Sequence, residues 1–216
     1  MKNIIIVGAG GMGRKLFACL SRMNAIEKRW NIKGCIDDNI NALDGINTDL
    51  KLIGTIKDWV PDKNELFAMG ISDPKNKYEI AKVLIAKGAC FETIISPDVI
   101  LGEYVEVGEG SVIITPYNVE SCVKIGKFVT LLGSTIALDG EIGDYSTTGG
   151  FANLTTAVIG KGVYVGSHAV LLPGLKIGDG AYIGVGSIAM KDVKQYTQIF
   201  GNPARVIGEL ETFDFN

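Results

Sequence analysis

The first residues of the chain that could bind a ligand are three glycines, Gly8, Gly10 and Gly13, which directly follow the branched run at residues 3–7. This spacing, followed by an amphipathic stretch through Met23, predicts a strand, a tight turn and a helix. Backbone N–H groups and the positive end of a helix dipole at such a turn attract a pyrophosphate. The turn therefore predicts a nucleotide or nucleotide-sugar site. A turn that only allows close helix packing is the alternative.

Two acids follow the second predicted strand, which covers residues 32–36. Asp37 and Asp38 stand about 24 residues beyond Gly13, close to the place where dinucleotide-binding folds set an acid against the ribose. Either carboxylate could accept a hydrogen bond from a ribose hydroxyl or a uracil N–H. A helix cap or a solvated charge is the alternative for this pair.

The elements that position these residues form a small α/β unit. Residues 65–69 predict a third strand, and residues 74–87 predict a second helix after the loop at residues 70–73. The pattern favours a parallel, Rossmann-like sheet. Pro97 stands where a new element must begin, so we expect one domain over residues 1–95 and another over residues 96–216.

The second half of the chain repeats an aliphatic residue followed by glycine, at short intervals of six residues and long intervals of 17 or 18. The aliphatic members of these pairs are Leu101, Val107, Ile125, Ile142, Ile159, Val165, Ile177 and Ile183. A chain that turns every six residues, with one branched side chain inward per face, winds into a three-sided, left-handed parallel β-helix. The intervals of 17 predict one shortened corner in each of two coils. We expect residues 200–207 to cap the open end.

Composition excludes several classes of protein. A net charge of -3 does not favour a nucleic-acid-binding protein. No apolar run approaches the roughly 18 residues needed to span a bilayer, and no charged segment with a cleavage site opens the chain. We therefore expect a cytoplasmic protein without membrane insertion. The four cysteines match no zinc-binding spacing and predict reduced, mostly buried thiols.

A single histidine limits the metal chemistry that the chain can perform. His168 comes three residues after the inward-facing Val165, so we expect it to face outward, at the surface or between subunits. The γ-type carbonic anhydrases share this kind of coil, and they need three imidazoles around zinc. The sequence therefore predicts no metal site.

The glycine turn, the Asp-Asp pair, the hexapeptide coil and the closing run Gly201-Asn202-Pro203-Ala204-Arg205 occur together in this chain. In this combination the chain resembles the NeuD-type bacterial sugar O-acyltransferases and nucleotide-sugar N-acetyltransferases over nearly its whole length. The resemblance implies a homotrimer formed through the β-helices, with acetyl-CoA in the groove between neighbouring subunits. It also implies a nucleotide-sugar acceptor held by the N-terminal domain.

The resemblance also implies a set of ligand-binding residues. The acceptor would contact Gly8, Gly10, Gly13 and Asp37, with Asp38 beside them. The residues along the coenzyme A groove would be Gly166, Gly184, Ser187, Pro203 and Arg205. Lys191 could meet a phosphate of coenzyme A, and a plain surface lysine is the alternative.

The chain departs from this family at the catalytic histidine. Members carry a histidine and then an acid just before an Ile-Gly corner, and the corresponding stretch here is Ile136-Ala137-Leu138-Asp139-Gly140-Glu141-Ile142-Gly143. Leu138 stands at the histidine position. In the family the imidazole takes the proton from the attacking amine or hydroxyl, and the acid orients the ring. Asp139 or Glu141 could be a substitute base, since burial can raise the pKa of a carboxylate. A solvated or corner-capping acid is the alternative for Asp139.

From this resemblance we expect an acetyl-CoA-dependent acetyltransferase that acts on a sugar or nucleotide-linked amino sugar in surface-polysaccharide biosynthesis. An amine attacks a thioester more readily than a hydroxyl does, so an amino-sugar acceptor would better tolerate the loss of the histidine. One alternative is a nucleotide-sugar-binding protein that has lost catalysis, which Leu138 favours. An NAD-linked oxidoreductase is less favoured, because a β-helix offers no evident acid or base for hydride transfer.

Overall fold

The computed structural model describes residues 1–114 and 118–215. The elements of its first part are β1 (Lys2–Val7), α1 (Gly11–Ile26), β2 (Trp30–Ile36), β3 (Leu52–Gly54), β4 (Glu65–Met69) and α2 (Pro74–Ala86). The strands form one parallel sheet in the order β3-β2-β1-β4. The expected Rossmann-like sheet is confirmed. The sequence did not predict β3, because three half-buried residues are too few to show an alternation.

The branched run in β1 lies between two helices. Ile4 and Ile6 pack in one apolar cluster with α1, whereas Ile5 and Val7 pack in a second cluster with α2. Successive residues of a strand face opposite sides of a sheet. A strand covered by a helix on each face is therefore apolar at every position, which explains why this strand shows no alternation.

The second part of the chain is a β-helix of short parallel strands, closed by an antiparallel hairpin. The strands are β5 (Ile94–Ile95), β6 (Ile100–Leu101), β7 (Glu106–Val107), β8 (Val112–Ile114), β9 (Asn118–Val119), β10 (Lys124–Ile125), β11 (Thr130–Leu132), β12 (Glu141–Ile142), β13 (Thr147–Thr148), β14 (Val158–Ile159), β15 (Tyr164–Val165), β16 (Val170–Leu171), β17 (Lys176–Ile177), β18 (Tyr182–Ile183), β19 (Ile188–Ala189), β20 (Thr197–Gly201) and β21 (Ala204–Glu209).

These strands stack into three faces. The first face has the order β17-β14-β12-β10-β7, and the second has the order β21-β20-β18-β15-β13-β11-β8-β5. The third face consists of the pairs β6-β9 and β16-β19 with isolated bridges between them. The hairpin of β20 and β21 continues the second face beyond the last coil, at the place where the sequence predicted a cap.

The aliphatic residues that repeat in the sequence form ladders inside the β-helix. Consecutive partners on the first face are Val107, Ile125, Ile142, Ile159 and Ile177. From Ile125 onward each of them is at most 3% exposed. This in-register stacking confirms the hexapeptide coil.

The two coils with 17-residue intervals are shortened at different corners. The inward residues Leu131 and Ile136 stand five positions apart where the chain passes from the second face to the third. Leu154 and Ile159 also stand five positions apart, where the chain passes from the third face to the first. All other steps between consecutive inward residues in these two coils are six residues long. The inward ladders therefore stay in register.

The N-terminal part packs against one corner of the β-helix through aromatic rings. Phe128 and Tyr145 occupy left-handed positions on adjacent coils, with φ of 55° and 61°, and their rings stack at 5.2 Å. Tyr78 of α2 meets Tyr145 edge-on at 5.0 Å and meets Phe215 at 5.7 Å. We call Tyr78, Phe128, Tyr145 and Phe215 the aromatic edge. It joins α2, the β-helix and the C-terminal segment.

No helix in the described part of the chain is long and apolar enough to cross a membrane. All four cysteines are free; Cys19 and Cys35 are buried, whereas Cys90 and Cys122 are exposed. Burial, and to a smaller extent the neighbouring Asp37, raise the pKa of Cys35 to about 11. The Cys35 thiol is therefore protonated and unreactive at neutral pH.

Candidate functional site

The glycine turn lies between β1 and α1. Gly8 has a φ of 97°, in the left-handed region that favours glycine. A Cβ on Gly13 would lie only 2.8 Å from the carbonyl carbon of Gly8, so glycine at position 13 lets the helix approach the strand. The N-cap residue of α1 is Gly10, and as a glycine it has no side chain that could cap the helix. The first N–H groups of this helix are therefore available to an anion.

The structure brings Asp37 to the glycine turn and gives it a structural contact there. Its Oδ2 accepts the backbone N–H of Ala9 at 2.7 Å, and its Oδ1 accepts the N–H of Asn39 at 2.8 Å. Asp38 lies beside it and accepts the N–H of Lys57 at 3.0 Å. Both aspartates therefore stabilise the loops around the turn, and Asp37 holds the turn itself in place.

The loop after β4 also lies against the glycine turn. The N–H of Gly70 donates to Val7 O at 2.8 Å, and the side chain of Ile71 lies beside Gly8. Asp73 then caps α2 by accepting the N–H of Asn76 at 2.9 Å. The carboxyl ends of parallel strands are where α/β folds bind ligands. We call residues 8–13, 37–38 and 70–73 together the carboxyl edge.

Leu138 lies at an exposed corner of the β-helix. Its side chain is 49% exposed, and its backbone N–H donates to Glu120 Oε2 at 3.0 Å. Glu120 belongs to the preceding coil. Its neighbour Val119 pairs with Ile136, which stands two residues before Leu138. Glu120 was not among the residues predicted for this site, although a coil interval of 17 or 18 residues brings it beside position 138.

The two acids considered as substitute bases lie on different sides of this corner. Asp139 is exposed and has a left-handed backbone with φ of 61°. Glu141 is half-buried in β12, and its Oε1 lies 3.5 Å from Lys124 Nζ on the neighbouring strand β10. The corner therefore presents Asp139 and Glu120 to solvent, while Glu141 is paired on the first face.

A cleft of about 740 Å³ lies between the last coil and the closing hairpin. Its lining residues include Met190, Lys191, Asp192, Pro203, Arg205 and Val206. Lys191 and Arg205 contribute two cations, and the carboxylate of Asp192 accepts the backbone N–H of Lys176 at 2.9 Å. Two cations beside apolar walls suit a ligand that carries both phosphate groups and an aliphatic arm.

The other residues expected along a coenzyme A groove do not line this cleft. Ser187 is fully buried, and its Oγ accepts the N–H of Gly201 at 3.1 Å, so its hydroxyl anchors the hairpin. A Cβ on Gly166 would lie 2.6 Å from the backbone nitrogen of Val185. Gly184 is covered in the same way by the ring of Phe200. The two glycines therefore allow close stacking of the coils.

His168 lies at a different corner from Leu138. It is exposed, it has a φ of 59°, and its ring stacks on Phe151 at 5.0 Å. His168 follows β15 on the second face, whereas Leu138 precedes β12 on the first face. The outward orientation agrees with the sequence prediction, and within one chain His168 lies at a different corner from position 138. Within the described residues, no group of three or more potential metal ligands comes together.

A buried lysine in α2 is the second residue that the sequence analysis missed. Lys77 is fully buried, and its Nζ lies 2.8 Å from Thr147 Oγ1 and 3.0 Å from Thr130 Oγ1. Burial lowers the pKa of Lys77 well below its usual range, and Asp73 acts in the opposite direction. A lysine in an amphipathic helix ordinarily indicates a solvated face. Only the packing of α2 on the β-helix identifies this one.

Two protein families match separate parts of the chain. The PglD N-terminal domain matches residues 3–84, and the bacterial transferase hexapeptide family, described by six repeats, matches residues 156–188. A chloramphenicol acetyltransferase from Agrobacterium fabrum is 43% identical over 58 residues, which are 27% of this chain and 28% of that protein. The chain thus spans less than a third of the length of this curated relative.

Solved structures match the fold over nearly the whole chain. WeeI from Acinetobacter baumannii AYE is 26% identical, with a TM-score of 0.84, and the match covers 96% of this chain and 100% of that one. PerB from Caulobacter crescentus, in complex with CoA and GDP-perosamine, is 17% identical, with a TM-score of 0.83, and the match covers 96% of this chain and 98% of that one. Together with the two family matches, the likeness to WeeI confirms the resemblance that the sequence motifs indicated.

Proposed function

We propose that this chain, which carries a PglD-type N-terminal domain and bacterial-transferase hexapeptide repeats, is an acetyl-CoA-dependent acetyltransferase. Its acceptor would be a sugar, in the first place a nucleotide-linked amino sugar of surface-polysaccharide biosynthesis. The observation that carries this proposal is the pairing, in one chain, of an uncapped glycine turn with a basic cleft on a hexapeptide β-helix. The fold shared with PerB, which binds CoA and GDP-perosamine, supports the same pair of ligands.

The acyl donor would bind along the β-helix and the closing hairpin. Lys191 and Arg205, which line one cleft, would pair with phosphates of coenzyme A, and Pro203 would contribute an apolar wall. We further propose that three copies assemble through their β-helices and that a neighbouring copy completes the groove. Light scattering of the purified chain would then give about 69 kDa, three times the 23.1 kDa of one chain. A mass of one chain would contradict the shared groove.

The acceptor would bind at the carboxyl edge. Its pyrophosphate fits the first N–H groups of α1, because Gly10 and Gly11 add no side chain there. Asp37 holds this turn by accepting the backbone N–H of Ala9. The adjacent Asp38 accepts the N–H of Lys57. The sugar would then extend from the carboxyl edge toward the β-helix.

The reaction itself would be direct transfer to the acceptor. The amine nitrogen attacks the thioester carbonyl carbon, the C–S bond breaks, coenzyme A leaves as the thiolate, and the nitrogen loses a proton. Leu138 cannot accept that proton. Glu120, held beside Leu138 by a 3.0 Å hydrogen bond, and Asp139 are the exposed carboxylates at this corner that can. The exposed position of both favours an amine acceptor, which needs less help from a base than a hydroxyl.

The second candidate function is nucleotide-sugar binding without catalysis. Leu138 favours it, since an aliphatic side chain occupies the corner where the family carries its base. In that case the carboxyl edge would still bind its ligand, whereas no acyl group would be transferred. An NAD-linked oxidoreductase draws its only support from the glycine turn.

Ligand-induced stabilisation and thiol release would separate these functions. The full chain is heated with acetyl-CoA, with GDP- and UDP-linked amino sugars and with NAD, and free thiol is then measured with each acceptor. Stabilisation by acetyl-CoA and by an amino-sugar nucleotide, with thiol release that depends on the acceptor, is the expected result. The matched control is the same nucleotide sugar with a hydroxyl in place of the amine. Stabilisation by the nucleotide sugar alone, without thiol release, would identify the binding protein.

We propose the cytoplasm as the location of this activity. All four cysteines are free thiols, and two of them are exposed. Exposed thiols persist in reducing compartments.

A further inference from the structure

Lys77 and Thr147 form a buried polar contact between α2 and the β-helix. Lys77 Nζ lies 2.8 Å from Thr147 Oγ1, 3.0 Å from Thr130 Oγ1 and 3.2 Å from Ser146 O. Lys77 is fully buried, and both threonines are 1% exposed. Three oxygens around one amine use its full hydrogen-bonding capacity. The contact is therefore satisfied in only one orientation of α2 relative to the β-helix.

Thr147 extends this contact to the carboxyl edge. Its hydroxyl donates to the carbonyl oxygen of Ser72 at 2.6 Å. Ser72 lies in the loop at residues 70–73, where the Gly70 N–H bonds Val7 O and Ile71 lies beside Gly8. A continuous series of contacts therefore runs from β13, through Ser72, to the glycine turn.

The polar character of this contact is not explained by packing alone. Burying an amine costs its hydration, and an apolar side chain of similar volume often stabilises such an interface at least as well. What the amine and the hydroxyls add is one defined orientation, since their hydrogen bonds are satisfied only in that arrangement. The contact joins the part of the chain that would hold the acceptor to the part that would hold the acyl donor.

We propose that Lys77 and Thr147 are positioning residues that fix the carboxyl edge relative to the β-helix, so that the bound acceptor meets the acyl donor in one orientation. The inference rests on the proposed acetyltransferase function. Transfer between two bound substrates depends on near-attack geometry, and a shift of about 1 Å can cost on the order of 10²-fold in rate. Neither residue touches a reacting atom in this role.

Isosteric variants test the proposal. Lys77→Met keeps most of the aliphatic stem, Thr147→Val removes only the hydroxyl, and Thr147→Ser keeps it. Lys75→Met is the matched control, because Lys75 lies on the same helix with its side chain 47% exposed. We expect Lys77→Met and Thr147→Val to lower kcat/KM for the acceptor about tenfold or more, with the KM for acetyl-CoA unchanged. Thr147→Ser and Lys75→Met should stay near the wild type.

The variants can also show the proposal to be wrong. Acceptor kinetics that are unchanged in folded Lys77→Met and Thr147→Val, or a Thr147→Ser variant as impaired as Thr147→Val, would overturn it. Equal losses for acceptor and acetyl-CoA would indicate a general structural role and would also overturn it. If Lys77→Met does not fold, the valine and serine variants at position 147 decide the question.

Hydrogen exchange separates this inference from the proposed function. In Thr147→Val we expect faster amide exchange across residues 70–73 than in Thr147→Ser, whether or not the chain transfers an acyl group. A wild-type chain that binds a nucleotide sugar but releases no thiol would refute the acetyltransferase function. Unchanged amide exchange in both Lys77→Met and Thr147→Val would show that the contact between Lys77 and Thr147 does not hold residues 70–73 in place.

Discussion

At the residue scale, the corner before β12 carries an aliphatic side chain among carboxylates. Leu138 is 49% exposed, its N–H binds the Glu120 carboxylate, and Asp139 follows it. The proton acceptor is what position 138 lacks.

Leu138→His is expected to raise acceptor-dependent thiol release. An imidazole accepts a proton near neutral pH, and Glu120 or Asp139 can orient the ring. A positioned general base contributes about 10²–10⁴-fold, so we expect a gain of about tenfold or more, larger for a hydroxyl acceptor than for an amine. Leu138→Asn is the control, since it is polar but not basic. A histidine variant no faster than the asparagine variant would contradict a role for this position in proton transfer.

Glu120→Gln is expected to slow the wild-type reaction. The amide oxygen can still accept the Leu138 N–H, so the corner keeps its structure while the base is removed. We expect kcat/KM for the acceptor to fall by roughly 10²-fold, measured as thiol release across a range of pH. Glu79→Gln, on the exposed face of α2, is the control. An unchanged rate would leave Asp139 as the remaining exposed carboxylate of this corner.

At the element scale, the close approach of α1 to β1 shapes the glycine turn. Gly13 lies against Gly8, and Gly70 packs on Gly13 from the next strand. These contacts put the ends of β1 and β4 together against α1 and leave the N-terminus of α1 uncapped. The turn therefore provides close packing and leaves the first N–H groups of α1 uncapped, so close packing does not exclude the proposed ligand site.

Gly13→Ala is expected to destabilise the chain, because its Cβ would collide with the backbone of Gly8. Overpacking of this kind costs about 1–3 kcal/mol, which urea unfolding can measure. Gly11→Ala is the matched control, with no described neighbour within 4 Å of the added Cβ. As the first residue of α1, it should be neutral or gain up to about 1 kcal/mol. Similar costs at both positions would contradict the close-packing argument.

At the scale of the whole molecule, the aromatic edge couples the two parts of the chain. Phe215 is 7% exposed, and its ring covers Gly162 and contacts Tyr78 and Tyr145. The C-terminal segment is thus built into the contact between α2 and the β-helix. Together with the Lys77 contact, it gives the carboxyl edge a fixed place on the coil.

Phe215→Ala is expected to weaken this coupling. The loss of a buried ring costs roughly 3–5 kcal/mol, and calorimetry should show the N-terminal part unfolding before the β-helix. Tyr104→Ala is the control, since its ring is 81% exposed and it also has a left-handed backbone. The control should change the free energy of unfolding by less than about 0.5 kcal/mol. A single unshifted transition in Phe215→Ala would show that the aromatic edge does not couple the two parts.

The sequence alone determined the architecture, because both parts of the fold rest on local and repeated patterns. A coil that stacks equivalent residues must place an aliphatic side chain inward at each step. The spacing of Ile125, Ile142 and Ile159 therefore predicts the coil. The glycine turn is likewise local, since φ and close approach at Gly8 and Gly13 are decided within a few residues.

Only the tertiary structure decided which side chains meet. Glu120 reaches position 138 because one coil lies on the next, and Ser187 is removed from the cleft because the hairpin folds over it. Lys77 contacts residues 53 and 70 positions away in the chain. A hydrophobic pattern specifies which face of a helix is buried, but the partner of a buried polar group depends on how two folded units pack. The contact of Lys77 with the β-helix is therefore evident only from the tertiary structure.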